Sequence, residues 1–444
     1  GSSPAAIYLA EDEAIISVRG ARSVFKRLGS RSRRVRTFHS AKHALLFERP
    51  EEVARELSDH FASAPRRKFS ALVVGAGGVG GYLAASLARR GHRVTLLARE
   101  AQAAAITDRG LLVRQDGRES AVSDLEAVSS PPREAAFDAV IFAVKGFDTP
   151  AAAREVAGCV ANETVVASFQ NGLANEELLA EAFPGRRIAA GAVCAYLSSP
   201  EPGVVERLGS RGGVAVASYR GLSEEEIANW ADLFRAAGLP AVTGTAGSIK
   251  WSKLLLNVSF NAISAATGLT VGEILSAPDL FSLGAAAFRE ALAAARAAGA
   301  DPVGLPGYPV PLFSRVMCLP LWLARRLALM TIRGPEREGR SSMWQDISRG
   351  RGRTEIADLN GAVVEAAGKS GLPCPVNRYL TEVIERLAGD ADARERYRGD
   401  PAVLAREAPG ARGAAARQTP GGGGGGDGGG ETGAVGDDGA EADS

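Results

Sequence analysis

Residues Gly75-Ala-Gly-Gly-Val-Gly80 stand between a short apolar run, Ala71-Leu-Val-Val74, and a stretch of helical character, Gly81 to Arg90. A GxGxxG string alone constrains little. Directly after a strand and at the start of a helix, it fixes a strand–turn–helix unit whose backbone can hold phosphates. Gly75 permits the tight turn, Gly77 lets the backbone approach a pyrophosphate, and Gly80 allows close packing of helix on strand. Ala76, Gly78 and Val79 complete the loop. The helix N-terminus adds free N–H groups and the positive end of its dipole. The chain is therefore expected to bind a dinucleotide through Gly75–Gly80.

The next apolar run, Arg93-Val-Thr-Leu-Leu97, ends at Ala98-Arg99. An NAD-binding fold normally places Asp or Glu there for the ribose hydroxyls; Arg99 offers a guanidinium suited to a 2′-phosphate, so NADP is the expected cofactor. Ala139-Val-Ile-Phe-Ala-Val144 and Thr164-Val-Val-Ala-Ser168 are further short apolar runs bounded by Gly, Asn or charged residues, as buried parallel strands are. Helical stretches separate several of them, which predicts βαβ units and a doubly wound α/β sheet.

Four segments follow from this reading: residues 1–65, an alternating β/α region 69–245, a helical region 246–406, and a tail 407–444. The tail is rich in Gly, Asp and Glu and has almost no apolar residue larger than Ala, so it is expected to be disordered. Hydrophobic residues at 45%, charged residues at 23% and a net charge of +1 give no global pull toward nucleic acid or a membrane. The basic run Lys26 to Arg36 lacks aromatic interleaving and reads as a solvated loop or helix face. The four cysteines form no CxxC pair and only four His are present, so no metal site and no disulfide framework are expected. Glu11, Asp12 and Glu13 fall where a secretory signal would carry its apolar core, which predicts a cytoplasmic protein, an organelle remaining open. Val316 to Thr331 is too short to span a bilayer and carries Arg325 and Arg326; it reads as an amphipathic helix covering a groove or a subunit contact.

The segment from Lys250 to Ile263 is apolar around much of its circumference, as buried helices are. Lys253, Asn257 and Asn261 nevertheless recur every four residues, a polar stripe that needs partners. A polar ligand or hydrogen bonds between helices could supply them.

Taken in order, Gly75–Gly80, Ala143-Val-Lys145, Gln170-Asn-Gly172, the Trp251-x-Lys-x-x-x-Asn-x-x-x-Asn261 stripe, Ser342-Met-Trp-Gln-Asp346, Thr354-Glu-Ile356 and Leu359-Asn-Gly361 resemble ketopantoate reductases over most of residues 69–390. The resemblance implies an N-terminal Rossmann domain, an all-helical C-terminal domain like that of 6-phosphogluconate dehydrogenase, and an active site in the cleft between them. It implies NADPH-dependent reduction of a 2-oxo acid, 2-dehydropantoate to (R)-pantoate, a step of pantothenate biosynthesis. Lys253 matches the lysine that protonates the keto oxygen, and Glu355 a glutamate near the reacting centre and the cofactor. Asn257, Asn261 and Ser342 match substrate-binding residues; Lys145 and Asn171 match residues at the nicotinamide end. The chemistry is sound from below, because reducing a ketone builds negative charge on oxygen, which a positioned ammonium stabilises and protonates.

Three departures lie on the substrate side. Val271 stands where the family carries a further substrate-binding Asn, the Asp346–Glu355 spacing is one residue longer, and 303–335 is long and apolar for its place. Another branched 2-oxo acid is therefore an alternative substrate, and a non-catalytic NADP-binding sensor is the alternative outside enzymes. A homodimer through the helical domain is expected to be possible. Residues 1–65 resemble the last part of an α/β-hydrolase, with Asp12 as the acid of a triad, His43 as its histidine and a closing helix Glu51 to Ala62. The serine elbow of that fold would precede these residues, and no GxSxG follows them. The segment is expected to be a catalytically dead remnant.

Overall fold

The computed structural model describes residues 5–10, 33–38, 68–132, 136–331 and 335–409. The chain divides into two units, Gly1–Phe69 and Ser70–Ser444. In the first, β1 (Ala5–Ala10) runs parallel to β2 (Arg33–Phe38), with Ile7 opposite Val35. The end of the basic run is thus strand, not loop or helix: Val35, Thr37 and Phe38 favour extended backbone more than the arginines favour a solvated turn. Asp12, His43, the expected closing helix and the Gly-rich tail beyond Pro409 lie outside the described residues.

The second unit opens as the glycine motif requires. Strand β3 (Ser70–Val74) leads through the loop into α1 (Gly78–Ala88), three residues earlier than the sequence suggests. There follow β4 (Arg93–Leu97), α2 (Glu100–Arg109), β5 (Leu111–Gln115), β6 (Arg118–Val122), β7 (Glu126–Val128) and β8 (Ala139–Phe142). After them come α3 (Thr149–Glu155), β9 (Val165–Ser168), α4 (Asn175–Ala182), β10 (Arg187–Ser198), β11 (Val204–Arg220), α5 (Glu224–Ala236) and β12 (Ala241–Thr243). These strands make one sheet in the order β6-β5-β11-β10-β9-β8-β3-β4-β7, with β12 beside β11. From β10 through β9, β8 and β3 to β4 the pairing is parallel. The chain leaves β3 toward β4 on one side and later returns to β8 on the other, so the order reverses at β3. Ligands of open α/β sheets bind at such a reversal, outside the carboxyl ends of the strands.

The antiparallel β10–β11 hairpin departs from the predicted β/α alternation. It is built from long runs of small and β-branched residues, and its register shifts between Cys194 and Tyr196. Leu72, Val74, Val140, Phe142 and Val166 pack with Leu179 and Ile188 into a core under one face of the sheet.

The rest is helical: α6 (Ala246–Val258), α7 (Asn261–Thr267), α8 (Val271–Ser276), α9 (Pro278–Ala297), α10 (Val310–Met317), α11 (Leu321–Thr331) and α12 (Pro335–Glu338). Then come α13 (Ser342–Ser348), a π turn at Ala357–Gly361, α14 (Ala362–Lys369), α15 (Pro375–Gly389), α16 (Ala391–Gly399) and α17 (Ala402–Glu407). The polar stripe does not ride one continuous helix. Ser259 turns its hydroxyl back onto Leu255 O (2.9 Å), a bond that bends helices. Helix α9 also presses on the break, for a Cβ on Gly284 would stand 2.4 Å from Ser259 O. The apolar stretch divides at Pro320 into α10 and α11, and no helix among the described residues is long and apolar enough to cross a membrane. Leu312, Trp322 and Met330 are exposed on this pair, Trp322 by 70%.

Candidate active site

Each glycine of the loop answers to a different demand. Gly75 has φ +107°, and its N–H donates to Leu97 O at 2.9 Å, tying the turn to the end of β4. A Cβ on Gly80 would lie 1.9 Å from Gly75 O, so the third glycine is required by helix–turn packing. Gly77 is different: a Cβ there would meet no atom within 4 Å. Among the described residues nothing demands glycine at 77, and the space beside it belongs to a cleft of about 550 Å³. Helix α1 has no acidic residue in its first turn and no side-chain cap, so its leading N–H groups stay open toward that cleft. Arg99 is exposed on the cleft wall and makes no side-chain hydrogen bond or ion pair with the described residues; Gln102 and Ser129 stand on the same wall.

The opposite wall is made of charge, most of it from the helical half. Lys145, just past β8, reaches Glu355 at 2.5 Å and Asp346 at 3.1 Å; Arg351 binds the other oxygen of Asp346 at 2.7 Å. Both carboxylates are almost fully buried. Burial alone would lower the Lys145 pKa, but Glu355 and Asp346 outweigh it and the net shift is upward. Arg353 stacks over Phe147, its guanidinium 4.5 Å from the ring centre. On the π turn, the Asp358 carboxylate leaves no room for a Cβ on Gly146, and its backbone carbonyl leaves none on Gly172. Burial, reinforced by Glu355, pushes the Asp358 carboxyl up to about 6. Such π turns recur at functional sites.

Asn171 lines the cleft at the end of β9, and Ser342 lines it from the first turn of α13. Lys253, Asn257 and Asn261 are half-buried and do not line it. Asn257 approaches it, its amide 3.5 Å from Asn171 Oδ1, and the Asn261 carbonyl accepts from Ser341, the cap of α13. Lys253 has no hydrogen bond or ion pair among the described residues; burial pushes the Cys194 thiol pKa up, and the Lys253 charge opposes that shift. Asp346, Arg351 and Asp358 carry much of the geometry, yet sequence reasoning gave them no role. A charge placed three residues after buried Met343 in an otherwise uncharged turn was the available signal for Asp346. Lys250 and Glu176, a buried pair behind Asn171, were missed as well. No cluster suited to a metal ion occurs among the described residues.

The model of "Ketopantoate reductase PanE/ApbA" matches residues 71–221, and that of "Ketopantoate reductase PanE/ApbA C terminal" matches 247–388. The 2-dehydropantoate 2-reductase of Halobacterium salinarum is 30% identical over 319 residues, 71% of this chain and 98% of that protein. The enzyme of the same name from Archaeoglobus fulgidus is 31% identical over 70% of this chain and 95% of its own length. A crystal structure of a ketopantoate reductase family member from Ralstonia eutropha superposes with a TM-score of 0.61 at 31% identity, covering 74% of this chain and all of that one. These matches lend nothing to the hydrolase resemblance expected of residues 1–65. With a family model over each half of the second unit and a relative covered almost throughout, the chain belongs to the ketopantoate reductase family, nicotinamide-dependent oxidoreductases acting on CH–OH groups.

Proposed function

We propose that the protein reduces a 2-oxo acid with NADPH, and that the acid is 2-dehydropantoate, giving (R)-pantoate. The observation that carries this reading is a single cleft with the glycine loop on one side and Ser342, Asp346 and Glu355 on the other. The relatives' names point the same way.

The residues present fit a dinucleotide. The open space at Gly77, beside two glycines that the chain's own packing requires, is the shape a pyrophosphate needs. Residues Gly75, Ala76, Gly77, Gly78, Val79 and Gly80 would hold the pyrophosphate through backbone N–H groups, and Arg99 the 2′-phosphate of NADP. Lys145 and Asn171 would serve the nicotinamide end. When bound, the nicotinamide supplies the hydride. Lys253 Nζ gives a proton to the keto oxygen and stabilises the charge growing there. A half-buried ammonium without a partner among the described residues suits that task. Asn257, Asn261 and Ser342 hold the oxo acid, and Glu355 orients Lys145 while keeping charge balanced near the reacting centre.

In this reading residues 69–245 bind NADP, and residues 246–406 bind substrate and form a homodimer in the cytoplasm. Val271, placed where the family carries a substrate-binding Asn, favours a second reading in which the substrate is another branched 2-oxo acid. NADPH oxidation against a panel of 2-oxo acids tests both. Turnover of 2-dehydropantoate above all others supports the first, and a preference for another acid supports the second. Consumption of none of them overturns the function.

A further inference from the structure

Helix α6 carries two lysines three residues apart, and the mechanism uses one. The other, Lys250, is buried to 6% exposure against Glu176, which is buried to 2%. Lys250 Nζ lies 2.8 Å from Glu176 Oε1, in a contact that is ionic but off hydrogen-bond geometry, and donates to Gln170 O at 2.7 Å. Replacing a buried ion pair by well-packed apolar side chains of similar volume is often neutral or stabilising. The presence of the pair here calls for another reason, and the residues around it supply one.

We propose that Lys250 is a positioning residue for the reduction: paired with Glu176, it pins the Gln170–Asn171 peptide to α6 and so fixes Asn171 relative to Lys253. The proposal rests on the reading of Lys253 and Asn171 given above. Gln170 lies two residues past β9, and its side-chain amide donates to Val144 O at 3.0 Å and to Thr149 Oγ1 at 2.7 Å. That joins the two strand-end loops that line the cleft. Thr149 donates to Asn175 Oδ1 at 3.0 Å, and the Asn175 amide donates to Asn171 O at 2.7 Å. The Asn171 residue is therefore held on both sides, by Asn175 at its own carbonyl and by Lys250 at the carbonyl before it.

Glu176 lies in the first turn of α4, where a negative charge is favoured. It holds the Lys250 ammonium in place beside that carbonyl. Lys250 and Lys253 are neighbours on one helical face, so whatever fixes Lys250 fixes the rotation and height of Lys253 as well. An apolar contact would hold α6 against β9 but would leave it free to slide. A directional bond to one carbonyl does not.

The test separates position from stability. In K250M/E176L the pair is replaced by apolar groups of similar volume, and the thermal midpoint is expected to stay near that of the unaltered protein. Its kcat with the best 2-oxo acid is expected to fall by about 10–100-fold, the size of effect a small misplacement produces. Its KM for NADPH should move little. Hydrogen exchange of the free protein over residues 169–175 should speed up in the same variant. K250R, which keeps the charge and the donor, should recover part of kcat relative to K250M, and it provides the measurement if the double variant does not fold. Unchanged exchange over 169–175, or full kcat in K250M or K250M/E176L, overturns the proposal. Faster exchange in a protein that reduces no 2-oxo acid would leave the pin standing and overturn the function instead.

Discussion

The two walls of the cleft are built from different materials. The wall at β3 is backbone: a turn at Gly75, an open face at Gly77, and N–H groups at the start of α1. The facing wall is side-chain charge, most of it from the helical half: Glu355 and Asp346 hold Lys145 from just past β8, Arg351 binds Asp346, and Asp358 packs against Gly146. Backbone donors hold a fixed partner in one geometry. Charged side chains set protonation and orientation, and they can respond to pH. The first wall is thus suited to binding and the helical half to chemistry, and changes on the two sides should appear in different kinetic constants.

The largest effect belongs to the helical half. Lys253→Ala should lower kcat by roughly 10²–10⁴-fold, the span for a positioned acid, while a direct NADPH titration shows little change. Asn257→Ala should mainly raise KM for the oxo acid. Near-normal turnover in Lys253→Ala would make Lys253 structural and erase the division of labour.

Next comes Arg99, on the backbone wall but acting through its side chain. A charge-assisted bidentate contact contributes roughly 1.5–3 kcal/mol. Arg99→Ala should therefore raise KM for NADPH by roughly tenfold to hundredfold and leave NADH nearly as before. Equal use of NADPH and NADH by the unaltered protein would remove Arg99 from the 2′-phosphate.

The glycines divide more finely. A methyl at Gly77 meets no protein atom within 4 Å, so Gly77→Ala should keep the thermal midpoint and lose affinity for NADPH by about tenfold, the equivalent of ~1.4 kcal/mol. A methyl at Gly80 collides with Gly75 O, so Gly80→Ala should lower both. If Gly77→Ala binds NADPH normally, the open space there is not the pyrophosphate site.

The same contrast explains what the sequence makes legible. A backbone cradle needs glycine at fixed spacing, and that spacing is visible in the sequence; hence β3 and the loop fall where expected, while α1 begins three residues early. The charged wall is assembled from Lys145, Asp346, Glu355 and Asp358, whose proximity depends on how α13 and the π turn fold back onto the ends of β8 and β9. Family resemblance supplied Lys145 and Glu355; Asp346 stood inside a motif of that resemblance without a role, and Asp358 had no local signature. The break at Ser259–Phe260 escaped because a Ser in an apolar helix leaves the periodicity intact even when its hydroxyl bends the chain. The β10–β11 hairpin escaped because its runs of Ala, Val and Gly satisfy strand and buried-helix patterns equally.

A smaller effect concerns pH. Asp358 has its carboxyl raised from 3.8 to about 6 in the folded protein. Between those values the folded state holds the proton more tightly than the unfolded one, so stability falls as pH rises through the interval. Asp358→Asn removes the buried charge. Its thermal midpoint should exceed that of the unaltered protein by a few degrees at most above pH 6, and the difference should close as pH falls toward 4. A difference independent of pH would mean that the Asp358 contacts with Gly146 and Gly172, not its charge, set its contribution.

The smallest expected effect is none. Strands β1 and β2 pair with each other, while every strand of the ten-stranded sheet comes from residues after Phe69. Each lining residue of the cleft, from Val74 to Glu355, also comes from that second unit. If both walls are complete without the first unit, a protein lacking residues 1–65 should bind NADPH with the same affinity and reduce the same oxo acid with the same kcat. Only its solubility is free to change, should that segment cover apolar surface. The measurement is a cofactor titration and steady-state kinetics on the shortened chain beside the full one. A folded shortened protein that has lost NADPH binding would show that the first unit supports the glycine wall. Loss of kcat with binding intact would show that it supports the charged one.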